Sequence, residues 1–418
     1  MSALALRISR RTFRSLQRHR NYRLFFSGQV VSLIGTWMQN IALAWLVIEL
    51  SGSALAIGAL AFCRFLPFLL FGLVAGVIVD RFDSRRLLVV TQGVAMIVSA
   101  VLAVVTLAGV ATLPVVYALA LLGGVILVVD APARQTLTYQ MVGPAELQNA
   151  VALNASLFNG SRVIGPAIAG LLIALVGTGL CFAINAVSFL AVLASLRLLR
   201  TDELTPIVRH GTKVVAGIRE GLVWALHAPL ARTVLVVVTI VSLAGFNFHV
   251  LVPLLASETL DVGAETFGIL SAAFGLGALA GALVTASFRE ASPKAFVGGG
   301  VGFSLMMLGL SLVESVPAAI ALLFVLGVSF SLFTASANVL LQLAAPDHLR
   351  GRVISLYLFA FAGLAPIGGL FAGWLADKGG TPLAFGVAGV AGLCAAAWAV
   401  RELAVARPHA ARPDASVI

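Results

Sequence analysis

Charge is what this 418-residue chain has least of: only 11% of its residues are Asp, Glu, Lys or Arg. Soluble domains carry about 25%. With 60% hydrophobic residues and a mean hydropathy of +1.06, the chain holds more apolar surface than one water-soluble core can hide. A soluble fold is excluded, and lipid is the solvent for most of the chain. Cysteine is scarce as well. Cys63, Cys181 and Cys394 lie far apart in apolar runs, which excludes a disulfide framework and a zinc pattern. Neither G-x-x-x-x-G-K-[ST] nor H-E-x-x-H nor G-x-S-G occurs, so no phosphate loop, zinc hydrolase or serine nucleophile is expected. The reading is of a non-enzyme without cofactor or metal. The N-terminal MSALALRISRRTFRSLQRHRNYR has no apolar h-region or cleavage site ahead of the first long apolar run. It reads as a basic amphipathic lead-in on anionic lipid.

What the chain has is apolar runs. A spanning helix needs about 20 mostly apolar residues, and twelve runs qualify: 23–49, 53–79, 87–109, 113–140, 148–175, 179–199, 231–256, 265–288, 294–314, 317–343, 351–376 and 381–402. The expected fold class is an all-α membrane protein of twelve helices in two pseudo-symmetric six-helix bundles. The parts are a lead-in at 1–22, bundles at 23–199 and 231–402, a connector at 200–230 and a tail at 403–418. Basic residues set the orientation. With both termini cytoplasmic, all of the 27 Lys and Arg lie on the inner side except Arg64, Arg134, Arg162 and Lys378. The net charge of +10 is therefore topology and not a nucleic-acid footprint.

The two halves echo each other. PAELQNAV at 144–151 and PDHLRGRV at 346–353 each lead into a span, and Gly72/Gly76 pair with Gly277/Gly281. A duplicated six-helix unit is the simplest reading. GVIVDRFDSRR at 76–86 joins spans two and three, and places Gly76, Asp80, Arg81, Arg85 and Arg86 at the inner surface. NGSRVIGPAIAGL at 159–171 lies within span five, where Pro166 removes a backbone donor and Gly165 and Gly170 admit close neighbours.

These stretches closely resemble the major facilitator superfamily. The loop resembles its cytoplasmic latch motif, and Gly165-Pro166 resembles the helix-kink motif of its antiporters. With PARQ at 132–135, RFLP at 64–67 and PDHLRGRVISLY at 346–357, the chain resembles the branch that contains the bacterial enterobactin exporter and macrolide-efflux proteins. The resemblance implies an exporter in the bacterial inner membrane. FREASPKAF at 288–296, the second-half counterpart of the latch loop, is degenerate, so the latch is expected at Asp80 and span eleven.

Four charged residues fall within spans away from their ends: Arg64, Asp130, Arg134 and Arg162. At about 1.5 Å per residue, Arg64 and Arg162 lie about 16 and 21 Å deep. A mid-depth charge costs about 2.5–3.5 kcal/mol or more, and persists when paired or facing water. Two readings stay open: an electropositive cavity for an anionic or catechol-rich substrate, and a structural network joining spans two, four and five. Asp130 is the default proton carrier, unless Arg134 beside it makes it a fixed counter-ion. His249 is the second candidate. Trp37, Trp45, Phe246 and Phe248 either line an aromatic pocket or pack. The expected activity is export of a siderophore or drug by proton antiport, by a monomer. The alternatives are an uptake or lipid-translocating carrier and a non-transporting sensor or scaffold.

Overall fold

A computed structural model describes residues 12–72, 81–206, 214–287, 292–346 and 348–406. Among these the chain is helical. The helices are α1 (Arg14–Arg18), α2 (Arg20–Ser51), α3 (Ala54–Phe71), α4 (Ser84–Leu107), α5 (Leu113–Val176), α6 (Thr178–Arg197), α7 (Val214–His227), α8 (Pro229–Ala244), α9 (Phe248–Leu254), α10 (Ala264–Ser287), α11 (Pro293–Leu310), α12 (Val316–Ala344), α13 (Arg350–Leu358) and α14 (Ala365–Ala406). Among the described residues ten helical stretches are long and apolar enough to cross a membrane. Two of these are double length. The 64 residues of α5 break at Gly143, whose φ of 67° suits glycine, just ahead of Pro144. The stretch that includes α13 and α14 breaks at Gly379 and Gly380.

The described chain forms two compact units. The first holds Met1–Gly52, Leu66–Thr212 and Gly263–Ala272, and the second holds Ser53–Phe65, Lys213–Val262 and Ala273–Ile418. Each unit thus takes a short segment from outside its own stretch of chain. Glycines explain both. A Cβ on Gly268 would meet the Pro166 carbonyl at 2.6 Å and Gly170 Cα at 2.8 Å, so α10 lies backbone to backbone on α5 in the first unit. In the second unit, a Cβ on Gly58 would meet the Gly369 carbonyl at 2.9 Å and Gly373 Cα at 3.1 Å. Without side chains at these points the helices approach closely, as small residues permit in lipid.

At one end of the first unit, Tyr22, Phe25, Leu88, Leu137, Met141 and Phe189 pack into a buried cluster drawn from α2, α4, α5 and α6. The second unit is centred on phenylalanines: Phe248, Phe274, Phe303 and Phe330 are all buried. Phe248 and Phe274 have ring centroids 4.1 Å apart.

The lead-in is fastened to the first unit. Glu146 is buried just after the Gly143 break, and its Oε1 receives Arg14 Nε at 2.7 Å and Arg18 Nη1 at 3.0 Å. Ser15 Oγ donates to Asn149 Oδ1 at 2.7 Å, and Asn149 Nδ2 donates to the Thr12 carbonyl at 2.9 Å. Two arginines expected to face lipid headgroups are therefore committed to a carboxylate. The second unit reverses the charges. Arg352, which corresponds to Ala150 at the 202-residue repeat offset, pairs with Glu220 of α7. Glu146→Gln is expected to release α1 at a cost of about 1 kcal/mol or less. Limited trypsin digestion of the solubilised protein should then cut faster at Arg14 and Arg18. Unchanged cleavage would show that Ser15 and Asn149 hold the helix without the ion pairs.

Candidate functional site

Asp130 and Arg134 lie one turn apart on α5, and Pro132 between them does not separate them. Asp130 Oδ2 accepts from Arg134 Nε at 3.1 Å and also from Nη2. Its Oδ1 accepts from Thr91 Oγ1 at 2.8 Å and Gln92 Nε2 at 2.6 Å, both on α4. A carboxylate offers about four acceptor positions, and four donors fill them. The result is a charge-balanced knot tying α4 to α5. It continues through Thr138, whose hydroxyl donates to the Arg134 carbonyl at 2.8 Å. The amide of Asn154 donates to that hydroxyl at 3.4 Å, and Tyr22 Oη donates to Asn154 Oδ1 at 3.0 Å. The knot thereby also reaches α2.

The other two arginines stand apart from this knot, each on an aromatic ring. Arg64 Cζ lies 5.7 Å from the centroid of Phe65, and the imidazole of His249 lies 5.3 Å from that same ring. Among the described residues Arg64 forms no ion pair. Arg162 Cζ lies 5.7 Å from the indole of Trp37, and Phe158 meets that indole edge-on at 5.4 Å and 74°. Guanidinium over a ring face is an attractive arrangement. The four intraspan charges expected from the sequence are thus one compensated pair and two ring-seated cations.

The kink motif explains how Trp37 is held. A Cβ on Gly165 would meet Trp37 Cβ at 2.5 Å and the Ile34 carbonyl at 3.0 Å. Gly165 is therefore the niche for Trp37, Pro166 is buried beside it, and Gly170 receives α10.

In the loop at 76–86, Gly76 and Asp80 lie outside the described residues. Arg81 is exposed. Arg85 Nε donates to the Leu196 carbonyl at 2.7 Å and Nη2 to the Arg197 carbonyl at 3.4 Å, so it caps the C-terminal end of α6, where cations are favoured. The Arg86 amide donates to Asp83 Oδ1 at 2.8 Å. Asp83 is the N-cap of α4, a role legible as Asp just before an apolar run that the motif reading passed over.

The seventh expected span is broken. Residues 245–247 leave the helix between α8 and α9. The amides of Gly245 and Phe246 both end on the Val241 carbonyl, at 2.8 and 3.1 Å. At this break Phe246 is half-buried and stacks on Phe330 at 4.8 Å and 12°, while Phe248 is core. Gly245 and Asn247 are the sequence signal for the interruption. Discontinuous spans mark binding sites in many carriers.

Residues 12–416 match the family model described as transmembrane secretion effector. The chain belongs to the transmembrane secretion effector family. This secretion-effector chain is a multi-pass membrane protein of the major facilitator superfamily. It is 28% identical over 380 residues to a staphyloferrin A transporter of Staphylococcus aureus (strain NCTC 8325 / PS 47), covering 88% of this chain and 93% of that protein. It is 25% identical over 402 residues to macrolide efflux protein A of Streptococcus pyogenes, covering 91% and 96%. Among solved structures, the nucleoside transporter NupG superposes with a TM-score of 0.70 at 13% identity, over 92% of this chain and 99% of that one. The last likeness is one of fold.

Proposed function

We propose that this secretion-effector chain exports a small organic anion, a siderophore or drug, from the cytoplasm across the inner membrane by proton antiport. Alternating access would carry the cargo, with the chain acting as a monomer whose termini are both cytoplasmic. The observation that carries the anionic preference is the division of charges. Within the spans three arginines stand against one aspartate, which Arg134 holds, and the guanidinium groups of Arg64 and Arg162 lie over the rings of Phe65 and Trp37. Relatives named for staphyloferrin A transport and macrolide efflux support organic cargo and the outward direction.

Two groups are proposed as proton carriers. Asp130 accepts four hydrogen bonds, so taking up a proton requires Arg134 to swing away. His249 is exposed and its ring lies 5.3 Å from that of Phe65, the ring on which Arg64 also rests. The loop of Gly76, Asp80, Arg81, Arg85 and Arg86 is proposed as the cytoplasmic latch of the transport cycle.

A strain lacking the protein, challenged with a panel of siderophores and drugs, should become sensitive to its cargo or retain it. Arg64→Ala and Arg162→Ala should each fail to restore export of an anionic cargo while remaining in the membrane at wild-type level. Equal loss of folded protein and export would make both arginines structural. A deletion strain that takes up less of a panel compound would instead indicate an importer.

A further inference from the structure

The face of α5 that carries Arg162 holds more than the cation. Phe158, Ser161, Arg162 and Gly165 follow the spacing of one helix face, and Phe158, Arg162 and Gly165 all touch Trp37 of α2. Two polar groups there have no partner among the described residues: Trp37 Nε1 and the hydroxyl of Ser161, which is 1% exposed. Buried donors are normally satisfied, and leaving one unmade costs about 1–3 kcal/mol. Indole can only donate. The group that completes this face must therefore bring acceptors. Phe158 is 47% exposed, so the same guest meets an aromatic side chain beside the donors.

We infer that Trp37, Phe158, Ser161 and Arg162 form a binding site for a planar aromatic carboxylate. The guanidinium fork would hold the carboxylate oxygens, the indole N–H and the serine hydroxyl would supply further donors, and the guest ring would lie against Phe158. An arginine fork matches a carboxylate in plane, which an ammonium does not. The site deepens the proposed function by naming the chemical class of cargo, and rests on that reading for its biological role. The assignment of the site itself does not need transport.

Isothermal titration of the purified full-length protein tests it, with 2-naphthoate as probe and matched micelles as reference. Cyclohexanecarboxylate keeps the charge without the flat ring, and 2-naphthylmethylamine keeps the ring with the opposite charge. Wild type should bind 2-naphthoate about tenfold or more tightly than either control compound. Trp37→Phe, which keeps a ring and removes the N–H, and Arg162→Lys, which keeps the charge and removes the fork, should each weaken 2-naphthoate roughly tenfold. Their melting temperatures should stay near wild type. Arg162→Met should lose binding, and if it fails to fold the two conservative variants decide. No preference for the planar anion, or unchanged affinity in both conservative variants, overturns the site. Binding as expected in a protein that exports nothing would leave the site standing and overturn the export reading alone.

Discussion

Gly277→Ala is expected to destabilise the protein by about 3 kcal/mol or more, at the upper end of overpacking costs, whereas Gly93→Ala should leave it as stable as wild type or slightly more so. A Cβ on Gly277 would stand 1.9 Å from the Phe324 carbonyl oxygen and 2.8 Å from its carbon. Those are backbone atoms, so no side chain can turn aside, and α10 and α12 must separate. Separation is resisted by the rest of the seam. A Cβ on Gly281 would meet the Val328 carbonyl at 2.5 Å, and one on Gly327 would meet the Phe274 carbonyl at 2.3 Å. Gly93 also sits within a helix, but nothing lies within 4 Å of its Cβ position. There alanine changes only helix propensity, by about 0.5–1 kcal/mol in its favour. Thermal melting of the two variants in the same detergent makes the comparison. Equal melting points would mean the seam is looser than its geometry.

Asp130→Asn should cost about 3–5 kcal/mol, as removing one partner of a buried ion pair does. Asparagine places a donating amide against donors. Thr91 and Gln92 already point hydrogens at one oxygen and Arg134 points two at the other. Arg134 would then keep its charge, with 27% of its side chain exposed, and lose its acceptor. In Asp130→Asn/Arg134→Gln the charge is removed from both sides, so the double variant should recover more than half of the loss. Additive losses in this double-mutant cycle would mean the pair contributes nothing as a pair. The same double variant separates the two proton carriers. Folded and transporting with unchanged pH dependence, it would leave His249 as the carrier.

Much of the architecture is legible in the sequence because lipid demands long apolar helices. Spans four and five were expected apart, and they run into each other because the turn between them is a single glycine ahead of Pro144. The Gly379-Gly380 turn was visible by composition. The interruptions inside spans were harder to see. The break at 245–247 and the π-helical turn at Phe359–Gly363 lie inside expected spans, so a window that averages apolar character passes over them, even where Gly245 and Asn247 mark the place. The exchange of Ser53–Phe65 and Gly263–Ala272 between units was also invisible. It follows from which glycine backbone lies against which, a matter of tertiary packing and not of local pattern.

The candidate site divides the same way. Scarcity alone singled out Arg64, Asp130, Arg134 and Arg162, since a charge in lipid needs a reason. The i, i+4 spacing of Asp130 and Arg134 pointed to their pairing. Nothing in the spacing could show that Thr91 and Gln92 complete the carboxylate, because they come from another helix. The partnership of Arg162 with Trp37 was equally hidden, as was the use of Gly165 as the niche for that indole. Trp37 was weighed as an aromatic pocket residue without a neighbour to make it one.

Everted membrane vesicles holding the protein test the central claim most directly. They are acidified inside by respiration, loaded with a pH-quenched dye, and given the compound to which the deletion strain is sensitive. Proton antiport predicts that the compound accumulates in the vesicles and dye fluorescence recovers, with both responses lost in Arg162→Met and abolished by a protonophore. Accumulation that persists after the protonophore, or fluorescence that stays quenched while the compound accumulates, would contradict proton-driven export.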